Sequence, residues 1–181
     1  MELNLYPVLP ETLLLCAVSV LLIGDLFVSD ANRHLSYWFT QLTLLACAAV
    51  TLATWQPAPI QTFSNMVVDD WMSDVLKLGS YLSVSLMLFY GRDYMRDRGL
   101  FKGEFFSLTL FSLLGVMVMI SASHFLTLYI GLELLSLSLY ALVALRRESL
   151  VATEAAMKFF VLGALASGFL LYGMSMVYGA T

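Results

Sequence analysis

HFLTLYIGLELLSLSLYALVAL (124–145) and ATEAAMKFFVLGALASGFLLYGM (152–174) decide the fold class of this chain. Each is an apolar run of about twenty residues, the length that crosses roughly 30 Å of hydrocarbon as an α-helix. Each also carries a charge inside it. Glu133 has eight or more uncharged residues on either side, and Lys158 follows Glu154 by one helical turn. A charge at membrane depth costs from roughly 3 to well over 10 kcal/mol, so it rarely persists without a role. Proton or cation handling is the first chemistry that this pair raises.

The remaining composition agrees. The chain has 181 residues, 60% of them hydrophobic and only 12% charged, where a soluble globular domain has about a quarter charged. It reads as an all-α polytopic membrane protein. Cys16 and Cys47 each sit inside a hydrophobic run, and neither forms a CxxC pair. Iron–sulfur, zinc and disulfide frameworks therefore lack support, and apolar packing is the expected role of both. The eleven glycines are scattered singly, with no phosphate-cradling loop. No cofactor is expected on this chain, and a net charge of −4 does not favour nucleic acid. The opening MELNLYPVLPETLLL lacks the basic start and small-residue cleavage site of a signal peptide.

Six spans are predicted, near 8–28, 35–55, 73–91, 104–122, 125–145 and 152–178. Pro7, Pro10 and Glu11 suit the first turn of the first helix. The one long connection, QPAPIQTFSNMVVDDWM (56–72), has β-prone residues on both sides of Ser64-Asn65 and predicts a small surface hairpin. Lysine and arginine fall in alternate loops: Arg33; then Arg92, Arg96, Arg98 and Lys102; then Arg146 and Arg147. The opposite loops carry none, so the positive-inside rule puts the basic loops in the cytoplasm and both ends of the chain outside.

Glu133 lies about 12 Å from the start of its span at Phe125. Tyr129, Ser136 and Tyr140 share its side of the helix, which is otherwise mostly leucine. Such a hydroxyl stripe is expected to face a bundle or a hydrated cavity, where the carboxyl serves a proton relay or makes one structural hydrogen bond between helices. Lys158 lies roughly 10 Å from the basic end of its helix. It either forms a simple intrahelical pair with Glu154 or acts with Glu133. Gly163, Ala164, Ser167 and Gly168 form overlapping small-xxx-small pairs, a pattern for close helix packing. Lys77 is expected to reach the outer interface or pair with Asp74. Asp25 is expected at the interface, and His124 in a turn.

GLELLSLSLYALVALRRES (131–149) followed by EAAMKFFVLGALASGFLLYGMSMVYGAT (154–181) resembles the subunit N family of bacterial NADH–quinone oxidoreductase. This is an antiporter-like family of respiratory complex I. The opening PVLPETLLL (7–15) and the loop before DVLKL (74–78) fit the same likeness. The resemblance implies a fold of about fourteen helices with two inverted five-helix repeats, of which this chain is the N-terminal part. Residues 1–103 would supply three peripheral helices and the hairpin, and 104–181 the first three helices of the first repeat. Glu133 would be the glutamate of that repeat's Glu–Lys pair, and Lys158 a cytoplasm-side station on the proton route. Glu154, Tyr129, Ser136 and Tyr140 would support them. NADH, FMN, iron–sulfur clusters and quinone would be handled by other subunits. The setting would be a bacterial inner membrane, beside other antiporter-like subunits. A multisubunit cation/proton antiporter and a non-catalytic structural subunit are the alternatives.

Overall fold

The computed structural model describes residues 5–27, 33–56 and 58–180. A short 3₁₀ turn, Tyr6–Val8, leads into α1 (Leu9–Asp25), and α2 (His34–Ala53) follows. Strands β1 (Ile60–Thr62) and β2 (Val67–Asp69) precede α3 (Trp71–Asp97). Then come α4 (Gly103–Ile120), α5 (Phe125–Val143) and α6 (Leu150–Ala180). All six helices are long and apolar enough to cross a membrane. The six expected spans are therefore present, most of them within a few residues at each end.

The third helix departs most from expectation, because both of its ends are held by polar contacts that hydropathy does not register. At its start Asp70 caps the helix: its Oδ1 accepts from Ser73 N at 2.7 Å, and Ser73 Oγ accepts from Asp70 N at 2.9 Å. At its far end Arg92 and Arg96 continue the helix instead of lying in a loop. Their guanidinium groups contact the two ring nitrogens of His34 at 3.1 and 2.9 Å. Arg92 also lies over the Tyr37 ring, 5.0 Å from its centre.

The expected hairpin is present and antiparallel, with Ile60 opposite Asp69 and Thr62 opposite Val67. Phe63, Ser64 and Asn65 all take positive φ, and Met66 N closes the turn on Phe63 O at 3.1 Å. The hairpin also docks on the connection between α4 and α5. Val68 N donates to Ser121 O, and Ser123 N donates to Met66 O. It thus closes one end of the bundle, and the arginines gather at the other.

The core lies among α1 to α4, where Leu14, Val18, Cys47, Leu88, Phe106, Leu110 and Met117 are fully buried. Cys47 is a core residue, whereas Cys16 is exposed. Helix α5 joins through a glycine crossing. A Cβ on Gly115 would meet Leu135 N at 2.6 Å and Gly131 O at 2.7 Å, and one on Gly131 would meet Gly115 O at 2.9 Å. Only glycines let the two backbones approach so closely. Helix α6 packs on α5 and leaves most of its surface uncovered.

Candidate proton-transfer site

Glu133 lies in the third turn of α5, half-buried and facing α6. Ser167 Oγ donates a hydrogen bond to Glu133 Oε1. Tyr129 Oη lies 3.1 Å from the same Ser167 oxygen. A serine hydroxyl carries one hydrogen, already directed at the carboxylate, so the tyrosine is the donor in the second contact. The result is a directed chain, Tyr129 to Ser167 to Glu133, that spans two helices.

Of the expected hydroxyl stripe, Tyr129 joins this chain and the other two do not. Ser136 is half-buried and makes no hydrogen bond among the described residues. Tyr140 turns into α6, edge-on to Phe159 and Phe160 at 4.9 and 5.6 Å between ring centres. Its hydroxyl fills the place that a side chain would take at Gly163. Ser167 is the partner that sequence reading missed, having been grouped with the small packing residues. Its one signal is that it carries the only hydroxyl in that stripe. Gly168, of the same stripe, faces open space.

Lys158 pairs with Glu154 at 2.5 Å, as its i−4 spacing predicts, and both side chains are largely exposed. Nine residues separate Lys158 from Ser167, about 14 Å along α6. The structure therefore does not bring Lys158 to Glu133.

One other expectation changes. Lys77 makes no ion pair with Asp74 among the described residues and does not reach the surface. It is fully buried and binds Glu11 of α1 and Asp69 of β2. The hairpin folds back over its side chain, so tertiary partners replace the sequence neighbour. His124 caps α5, its Nδ1 accepting from Leu126 N at 3.1 Å. Asp25 accepts from Ser36 Oγ at 2.9 Å and lies against Gly103, at the positive N-terminal end of α4. Nearby, Arg33, Arg98, Lys102, Arg146 and Arg147 line one cleft.

Residues 122–181, which contain the whole Tyr129–Ser167–Glu133 chain, match the family described as NADH:quinone oxidoreductase/Mrp antiporter, TM. Over 175 residues, 97% of its length, the chain is 61% identical to NADH-quinone oxidoreductase subunit N of Thiobacillus denitrificans. The chain is thus similar to subunit N along nearly its whole length. The subunit N proteins of Laribacter hongkongensis and Neisseria gonorrhoeae are 61% and 53% identical, each over 99% of this chain. The chain spans 36–37% of the length of these subunit N relatives. A solved chain of membrane-bound sulfane sulfur reductase, an archaeal respiratory membrane complex, superposes with a TM-score of 0.79. The match covers 98% of this chain and 38% of that one at 23% identity, so it speaks for the fold alone.

Proposed function

We propose that this chain belongs to a proton-translocating membrane subunit of NADH–quinone oxidoreductase, with Glu133 as its principal proton-carrying group. The observation that carries the reading is the Tyr129–Ser167–Glu133 chain. A carboxylate at membrane depth that is reached through successive hydroxyls can take up and return a proton, and its affinity depends on nearby charge. Lys158 and Glu154 act as a second station toward the basic end. Their pair is exposed on the six-helix bundle, and a charged pair at this depth is costly against lipid. That face of α6 is therefore covered by protein or water, which supports neighbouring antiporter-like subunits or further helices as partners. Redox chemistry with NADH, FMN, iron–sulfur clusters and quinone takes place in other subunits. The basic end faces the cytoplasm of a bacterial inner membrane. Residues 1–103 form the peripheral part, and 104–181 begin the first antiporter-like repeat.

The test is Glu133→Gln in the protein assembled in its membrane complex, measured by proton uptake coupled to quinone reduction. Pumping should fall by about a hundredfold if this carboxyl is an obligate proton carrier. Normal pumping in a normally assembled complex would overturn the role of Glu133. The matched family is described as NADH:quinone oxidoreductase/Mrp antiporter, and sodium-dependent transport without quinone coupling would favour an antiporter as the second reading.

A further inference from the structure

The basic end of the bundle holds a cleft of about 1170 Å³, bordered by the ends of α1 and α3, the start of α4 and the connection from α5 to α6. Its cations come from four stretches of sequence: Arg33 before α2, Arg98 after α3, Lys102 before α4, and Arg146 and Arg147 before α6. All but Arg33 are exposed. Three carboxylates line the same cleft. Asp25 accepts from Ser36 and sits at the start of α4. Glu104 lies 3.5 Å from Arg147 in an exposed pair, and Glu148 is the third. Five cations against three carboxylates leave an excess of two positive charges in one concavity.

Basic loops that only set orientation can lie spread over a membrane surface. Here they converge, and the fold alone brings them together, because Arg33 and Arg147 stand far apart in the sequence. Another part of the cleft wall is apolar. Leu22 of α1 and Leu26 at its end line the cleft and are 50% and 80% exposed, with Leu22 one turn farther into the span. Leu150, which follows the cleft residue Ser149 and opens α6, is 87% exposed. Bare leucines beside a group of cations suit an amphiphile, with its anionic head at the arginines and its chain against Leu22. Basic pockets between spanning helices on the cytoplasmic side take phospholipid headgroups in this way. The volume exceeds the roughly 300–1,000 Å³ of a pocket for a small molecule, as a headgroup with the upper part of its chains requires. A soluble anion would satisfy the cations and leave the leucines uncovered.

We propose that this cleft binds an anionic phospholipid from the leaflet at the basic end. Its phosphate meets Arg98, Lys102, Arg146 and Arg147, and its acyl chains run along Leu22 and Leu26. The site shares no residue with the Tyr129–Ser167–Glu133 chain. It stands whether or not Glu133 carries protons during pumping.

Photocrosslinking in lipid nanodiscs tests it on the protein in its membrane complex. Phosphatidylglycerol and phosphatidylcholine are each supplied with a photoactivatable group high on the acyl chain, and the labelled peptides are mapped. Phosphatidylglycerol should label the peptide around Leu22 and Leu26 about tenfold more than phosphatidylcholine does, and the preference should shrink as salt is raised. Arg146→Gln together with Arg147→Gln should remove most of the preference, whereas Arg146→Lys together with Arg147→Lys should keep it. The two lipids are compared first on the wild-type protein, so a Gln variant that fails to assemble leaves that comparison intact. Equal labelling by the two lipids would overturn the proposal and leave the cations to a soluble anion. Labelling by neither would also overturn it, with a neighbouring subunit in the cleft instead. So would a preference that the Gln variant keeps in full.

Discussion

Lys77 and Lys158 are both lysines in membrane-length helices, each with an acidic residue within one turn before it, and their surroundings are opposite. Lys77 is fully buried, and its partners come from α1 and β2. Lys158 keeps its sequence neighbour Glu154 and stays largely exposed on the bundle. The hairpin makes the difference, because it folds Asp69 back over α3 and closes that end, while nothing described here folds over α6. A charge near the end of a span therefore need not be interfacial. A charge at a similar depth from its helix end, as at Lys158, need not be enclosed by the helices that lie next to it in sequence.

The largest effect that would sharpen this contrast is on stability at Lys77. Lys77→Met leaves Glu11 and Asp69 buried without their cation, a loss of about 3–5 kcal/mol, read as a lowered unfolding temperature of the purified protein. Adding Glu11→Leu to that variant should recover part of the loss, because the unmatched carboxylate goes with it. A mild single variant would break the comparison.

A smaller effect is expected at the seam between the two regions, where α4 crosses α5. Gly131→Ala places a methyl group against Gly115 O and Met119 N, each 2.9 Å from its position. Neither backbone atom can move aside like a flexible side chain, so the helices must separate, at about 1–3 kcal/mol. Thermal unfolding checks the cost. Reduced pumping would report that Glu133 had shifted with α5.

The smallest stability effect belongs to Lys158. Lys158→Gln removes an exposed i,i+4 pair worth under about 0.5 kcal/mol. The unfolding temperature should hardly move, and proton pumping should fall if Lys158 is a station on the route. A large loss of stability with intact pumping would reverse the roles assigned to the two lysines.

Much of this was legible along the chain because the bilayer permits few structures. Runs of about twenty apolar residues, such as those holding Glu133 and Lys158, must be helices, since unpaired backbone groups are too costly in hydrocarbon. Local spacing likewise foretold the Glu154–Lys158 pair, and the β-prone residues around Ser64-Asn65 foretold the hairpin. Helix ends were less legible. The capping box of Asp70 and Ser73 and the docking of Arg92 and Arg96 on His34 are single contacts that barely alter hydropathy.

The sequence by itself determined the number of spans, their order, the segregation of positive charge to one end, and Glu133 as the deeply placed carboxyl. Only the tertiary structure decided which groups meet. Ser167 reaches Glu133 from 34 residues away, and Glu11 reaches Lys77 from 66. Hydrophobic length places each helix across the membrane independently of the others. The pairing of polar groups depends on how helices rotate and cross, which here turns on the Gly115–Gly131 contact and on the hairpin folded over α3.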